Sequence, residues 1–155
     1  MARIRLARSE DRKAIFTLLK ELASEIYQMP EDEAFKLYDE LYNVIKEYNK
    51  RISKPSDRYR VYVLEVNGRI IGLASIIKGR GWLYIDDLVI SKEYRGKGYG
   101  KALINYLEKV YRNECQYLEA DTHERAVNFF RKLGFIELYR FRKEITWIKM
   151  IKVLR

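Results

Sequence analysis

DDLVISKEYRGKGYGKA, residues 86–102, joins an apolar strand pattern, a glycine loop and the start of a helix. Gly96, Gly98 and Gly100 leave side chains out where the backbone must pass close to a ligand, and they permit dihedrals that other residues resist. The amides of residues 97–101 are thereby available as donors, and Lys97 and Lys101 add whole charges. Because the apolar repeat Leu103, Ile104, Leu107, Val110 follows at once, these amides are also the unpaired first N–H groups of a helix, with its positive dipole end behind them. The segment is expected to bind an anion, phosphate above all.

Spacing narrows the ligand. A triphosphate loop needs GxxxxGK followed by Ser or Thr, but Arg95 stands at the first glycine and Ala102 follows Lys101. A dinucleotide fingerprint started at Gly96 meets Lys101 where its third glycine belongs. The pattern that fits is RxxGxG, Arg95 with Gly98 and Gly100, after a strand ending in LVI. This resembles the coenzyme A loop of the GCN5-related N-acetyltransferases, the GNAT superfamily. Downstream, His123, Ala126, Asn128, Phe129, Phe130 and the run KLGF at 132–135 resemble that family's next segment.

The resemblance implies a GNAT-like α/β (α+β) fold, a mixed, mostly antiparallel central sheet flanked by helices, in one domain over residues 1–155. It implies acetyl-CoA as cosubstrate, with no metal. The pyrophosphate is expected on Arg95, Gly96, Lys97, Gly98, Tyr99, Gly100 and Lys101. The pantetheine arm is expected to pair like an added strand with Leu88, Val89 and Ile90, the Leu88 N–H also facing the oxyanion. His123 and Ala126 are expected on the coenzyme side, His123 standing where the family commonly has Asn. A helix N-cap or surface position is the plainer reading of this single histidine. At Phe130 the chain departs from the family pattern, where the resemblance implies a tyrosine as acid toward the departing sulfur. Phe130 has no proton to give.

The element order agrees. Ile4 and Leu6 suggest a first strand, and Ser9 stands as an N-cap before the helical repeat Ile15, Leu18, Leu19, Leu22, Ile26. Pro30 breaks that helix, and a second one is expected over residues 32–51. Period-two text then begins, with Asn67-Gly68 as a hairpin turn and a second hairpin at residues 79–81 leading into the strand 82–90. Helix, strand, helix and two closing strands follow the glycine loop. The acidic cluster Glu31, Asp32, Glu33, Asp39, Glu40 reads as a solvated helix face.

Composition sets bounds. With 155 residues, 48% of them hydrophobic, the chain can bury one substantial core. No apolar run approaches the roughly 20 residues that cross a bilayer, so a soluble, cytoplasmic protein is expected. Cys115 is alone, which excludes an internal disulfide and leaves a buried thiol as its expected state. The formal charge of +9 favours acidic ligands. Its densest stretch, residues 139–155, alternates basic and aromatic residues as an edge strand does, so a nucleic-acid surface is the weaker reading.

Acetyl transfer needs a neutral amine. A lysine-like amine, with a pKa of about 10.4, costs roughly 4–5 kcal/mol to deprotonate near neutrality. Asp86 and Asp87 are adjacent carboxylates on an otherwise apolar and aromatic strand, and successive strand side chains point to opposite faces. At most one enters a cleft unless a bulge intervenes, and the resemblance implies such a bulge. Asp86 is taken as the base, with Asp87 and Tyr84 as alternates. The expected function is acetyl-CoA dependent N-acetyl transfer to a primary amine, by direct attack in a ternary complex. A protein N-terminus or lysine, a polyamine and a small amine all stay open as acceptors, and a homodimer is compatible with the closing strands. The alternatives are a catalytically silent acyl-CoA sensor and a basic nucleic-acid-binding module.

Overall fold

The computed structural model of the chain describes residues 1–154. Strand β1 (Ala2–Leu6) leads into three helices, α1 (Arg12–Tyr27), α2 (Glu31–Tyr42) and α3 (Val44–Ser53). A meander of β2 (Tyr59–Val66), β3 (Arg69–Lys78) and β4 (Gly81–Ile90) follows. After the glycine loop come α4 (Tyr99–Tyr111), β5 (Cys115–Thr122), α5 (Val127–Lys132), β6 (Ile136–Arg142) and β7 (Thr146–Val153). The strands form one seven-stranded sheet in the order β1-β2-β3-β4-β5-β7-β6. Among the described residues only the β4–β5 pair is parallel. Among the described residues no helix is long and apolar enough to cross a membrane.

Alternation along the strands fills both faces of the sheet. Tyr62 and Leu64 of β2 pack with Leu103, Ile104 and Leu107 of α4, while Val61 and Val63 pack with Ile15, Leu19 and Tyr48 of the first three helices. Helix α1 buries Ile15, Leu18, Leu19, Leu22 and Ile26, the stripe its spacing predicts. Burying each such side chain fully stabilises by roughly 1.5–3 kcal/mol. At the β2–β3 turn Asn67 and Gly68 take φ of 51° and 81°, the pair of positive values that a tight two-residue hairpin needs.

Two irregularities of β4 shape the site. Its parallel pairing with β5 runs from Gly81 opposite Cys115 to Ile85 opposite Ala120 and then stops. Residues 86–90 pair as a strand with β3 alone, so their other edge has no strand partner. Ser75 of β3 faces Asp87 and Ile76 faces Ile85, which makes Asp86 the extra residue of a bulge. The bulge inverts the alternation: Leu83 and Ile85, then Leu88 and Ile90, lie against the α4 core, whereas Val89 joins the α1–α3 core and Asp87 meets tyrosines of α2 and α3.

The helix expected over 32–51 is two helices. Asn43, at φ 56°, closes α2 and opens α3 in the left-handed region, which Asn is one of the few residues besides glycine to tolerate. The apolar stripe runs on across the break, which is why periodicity did not reveal it. Ser9 is not the cap of α1. It starts a single 3-10 turn, and the Asp11 carboxylate accepts the Arg8 N–H at 2.8 Å while pairing with Arg5 at 2.7 Å. Residues Glu31, Asp32, Glu33 and Glu40 are exposed, as a solvated face requires, and Cys115 is buried.

Candidate functional site

Where β4 and β5 separate, a cavity of about 590 Å³ opens between the glycine loop, the free edge of β4 and the segment after β5. Gly96 and Gly98 have φ of 75° and 86°, and a Cβ built on either meets nothing within 4 Å. They are glycines for their dihedrals and not for lack of room. Gly100 is the opposite case. Its Cβ would stand 2.8 Å from the Phe129 ring, so its place in the first turn of α4 requires the missing side chain. Of the expected coenzyme residues, Leu88, Val89, Ile90, Arg95, Gly96, Gly98, Tyr99, Gly100, Lys101, His123 and Ala126 all line this cavity. Lys97 does not, and its ammonium lies 5.6 Å from the centre of the Tyr94 ring.

Arg95 donates from Nε to the Ile90 carbonyl at 2.8 Å and pairs with Glu25 of α1. Arg125, which the sequence reading did not single out, donates to the carbonyls of Glu25 and Ile26 and so holds the end of α1 against the same cavity. His123 is buried and occupies the N-cap position of a short 3-10 turn without capping it. Its Nδ1 has no hydrogen-bond partner among the described residues. Burial, then the charges of Arg125 and Arg95, pushes its pKa down to about 4, so the imidazole is neutral near pH 7.

A second cavity, of about 250 Å³, lies on the α2–α3 side of the β4 bulge. Tyr38, Tyr42, Phe141 and Trp147 form aromatic wall, and Asp86, Asp87, Asp121 and Glu47 bring carboxylates to it. Asp87 is buried and accepts hydrogen bonds from the hydroxyls of Tyr38 on one oxygen and Tyr48 on the other. Burial, then the neighbouring Asp86 charge, raises its pKa to about 7, against the lowering effect of the two tyrosines and Arg51. Asp86 is more open and pairs with Arg51 at 2.7 Å, and Arg51 also donates to Ser75 Oγ at 2.8 Å. Tyr84, the other alternate base, donates instead to Asp121 at 2.8 Å, and Asp121 pairs with Lys149 at 3.1 Å. Burial and the Asp121 charge push the Tyr84 phenol far above its usual range.

The outer wall is held by Glu144, in the turn between β6 and β7. Its carboxylate accepts from Tyr27 at 2.7 Å, Tyr42 at 3.0 Å and Trp147 Nε1 at 3.1 Å, and these bonds outweigh burial to keep it ionised below the ordinary range. Lys143 beside it lies 4.3 Å from the centre of the Tyr42 ring. Tyr38, Asp86, Asp87, Asp121 and Trp147 line both cavities and mark where they meet. Tyr38, Tyr48, Arg51 and Glu144 were not read as site residues. The available signal was chemical: a tyrosine on a buried stripe needs a partner for its hydroxyl.

Comparisons with known proteins agree with this layout. The family model described as Acetyltransferase (GNAT) family matches residues 14–135. Over 84 residues the chain is 37% identical to glucosamine 6-phosphate N-acetyltransferase of Trypanosoma brucei brucei, covering 49% of this chain and 57% of that protein. Over 136 residues it is 28% identical to an uncharacterized N-acetyltransferase of Methanocaldococcus jannaschii, covering 77% of this chain and 58% of the relative. The chain thus spans a little over half the length of these curated relatives. Among solved structures, PaiA N-acetyltransferase of Thermoplasma acidophilum in complex with coenzyme A superposes with a TM-score of 0.79 at 18% identity, over 99% of both chains, a likeness of fold.

Proposed function

This chain belongs to the acetyltransferase (GNAT) family, and from that premise we propose that it transfers the acetyl group of acetyl-CoA directly to a primary amine. The observation that carries the reading is the meeting of two cavities at the β4 bulge, one suited to an anionic thioester and the other lined by carboxylates and aromatic rings.

On the coenzyme side, the amides after Gly96 and Gly98 and the charges of Arg95 and Lys101 would hold the pyrophosphate. The unpaired edge of residues 86–90 offers its backbone groups to the amide-bearing arm as a neighbouring strand would. The N–H of Leu88 lies on that edge and is the donor proposed for the oxyanion.

On the acceptor side, a cationic amine is favoured by carboxylates and by the ring of Trp147, the Tyr42 ring already carrying Lys143. A volume of about 250 Å³ lies below the roughly 300–1,000 Å³ of pockets that enclose drug-sized ligands. With the β6–β7 turn tied by Glu144 to α1 and α2, this favours a small amine or the end of a polyamine over a residue of a folded protein. Of the two carboxylates, Asp87 is proposed as the base, because its raised pKa of about 7 lets it hold a proton taken from an amine. Asp86, paired with Arg51, contributes the charge that raises it. A second reading, a silent acyl-CoA sensor, is favoured by Phe130 alone, which is buried edge-on between Phe129 and Phe135.

Titrating acetyl-CoA by calorimetry and then assaying free thiol against polyamines, amino sugars, amino acids and peptides separates these readings. Micromolar binding with thiol release is expected, greatest with the small cationic amines. Binding without release from any amine supports the sensor, and absence of binding overturns both.

A further inference from the structure

A donor held in one cavity and an acceptor held in the other react where the cavities join, so a group that lines both is placed next to the departing sulfur and the attacking nitrogen at once. Of the five residues that do, Asp86 and Asp121 are carboxylates engaged by Arg51 and Lys149, and Asp87 is the proposed base. Trp147 already donates its indole N–H to Glu144 at 3.1 Å. Tyr38 also donates its O–H, but to Asp87, the group that takes up the amine's proton and can replace the one Tyr38 gives away; Trp147 has no such source at Glu144. Phe130 carries no O–H, and the neutral His123 lines the coenzyme cavity alone.

We propose that Tyr38 is the catalytic acid of the reaction, giving its hydroxyl proton to the leaving sulfur and recovering one from Asp87, so that the two side chains relay the amine's proton to the thiol. This rests on the acetyl-transfer reading above. The acceptor, bound as an ammonium, first loses one proton to water and reacts as the neutral amine. Its nitrogen lone pair forms the N–C bond, the C–S bond breaks with its electron pair on sulfur, and one N–H proton passes to a free lone pair of Asp87. The Tyr38 proton passes to sulfur and the Asp87 proton to the Tyr38 oxygen. The products are an amide and a thiol, and both side chains regain their starting states.

The surroundings suit a relay better than an isolated acid. Burial and the Asp87 carboxylate push the Tyr38 phenol well above its usual pKa, so it yields a proton only as another arrives. Tyr48 holds the second oxygen of Asp87 and keeps the carboxylate from turning away. The ionisable groups that face this pair are Asp86 and Tyr84 on β4, Tyr48 and Arg51 on α3, Tyr42 on α2 and Tyr27 on α1.

Tyr38→Phe removes the O–H and keeps the ring, and Tyr48→Phe does the same on the other oxygen. A relay predicts that kcat falls about 10²–10⁴-fold in Tyr38→Phe with acetyl-CoA affinity unchanged, and less than tenfold in Tyr48→Phe. It also predicts that the dependence of kcat on deuterium fraction, curved in the wild type because several protons move together, becomes linear in Tyr38→Phe. Replacing Tyr38 with a fluorotyrosine, which keeps its size and alters only phenol acidity, should change kcat at least threefold. Equal losses in the two Phe variants, or a Tyr38→Phe rate within tenfold of wild type, overturn the relay and leave acetyl transfer standing. A wild-type chain that binds acetyl-CoA and releases no thiol overturns both.

Discussion

The two cavities meet at one bulge but are built from different materials. The larger takes its polar recognition groups from main chain: loop amides freed by glycine, the first turn of α4 and a strand edge without a strand partner. The smaller is made of side chains brought from far apart in the sequence, Tyr38 and Tyr48 being 49 and 39 residues from Asp87, and Tyr27 lying 117 residues from Glu144. A main-chain site binds what every coenzyme molecule shares and tolerates change in most side chains around it. A side-chain site can be altered one contact at a time, which is what selection among acceptors requires. Substitutions should therefore divide cleanly: those on one side change coenzyme affinity, and those on the other change turnover or acceptor KM.

Asp87→Asn is the strongest way to separate them. Losing the base should lower kcat/KM by about 10²–10⁴-fold, while acetyl-CoA affinity by calorimetry stays within twofold. In the wild type the base must be deprotonated, so kcat/KM should rise with pH through about 7 and fall away below it. Stability carries the opposite sign. Because the folded pKa of about 7 lies above the ordinary 3.8, the folded chain keeps a proton between those values that the unfolded chain has lost. Asp87 therefore favours the fold at low pH and progressively less as the pH rises toward 7. Relative to wild type, Asp87→Asn should gain melting temperature between about pH 4 and pH 7 and level off above that. A constant difference across that range would show that the carboxylate is not held protonated by burial.

Gly98→Glu tests the other side. A side chain at φ 86° is strained by roughly 1–2 kcal/mol, and its carboxylate opposes the pyrophosphate. Acetyl-CoA affinity should fall on the order of 100-fold, with kcat at saturation within a few-fold of wild type. Equal loss in kcat would show that the loop also positions the reacting groups. A smaller effect is expected at Glu144→Gln. Its three donors keep Tyr42 and Trp147 in place, and hydrogen bonds to a charged group contribute about 1.5–3 kcal/mol. Acceptor KM should rise about tenfold with kcat and coenzyme affinity unchanged.

The same division governs what could be read from sequence. The loop was legible because glycine spacing reports backbone dihedrals directly, and the Asn67-Gly68 turn for the same reason. Asp86 and Asp87 stood out as charges on an apolar strand, but period two alone could not say which faces the helices, since the bulge inverts that parity. Tyr38 and Tyr48 read as core because a tyrosine and a leucine give a helix the same stripe. Only the fold shows where their hydroxyls go. Glu144 lay hidden in a strongly basic stretch, where a lone acid looks like charge balance.

The break at Asn43 is the least visible of these features and the acceptor side depends on it. In a continuous helix residues 38 and 48 would stand about 15 Å apart along the axis and about 80° apart around it. Their hydroxyls could not then reach one carboxylate, yet both bond Asp87. The left-handed residue at φ 56° turns α3 back so that they do. Asn43→Ala should therefore cost about 1 kcal/mol in chemical denaturation, a drop of about 2–4 °C in melting temperature. Asn43→Gly should lose no more than about 0.5 kcal/mol, since glycine takes this conformation without strain. In both variants acetyl-CoA affinity should be unchanged, because no part of α2 or α3 beyond Tyr38 lines the coenzyme cavity. If Asn43→Ala is as stable as wild type, packing of the two helices and not the residue between them sets the bend, and the meeting of the two hydroxyls is then encoded in the core stripe itself.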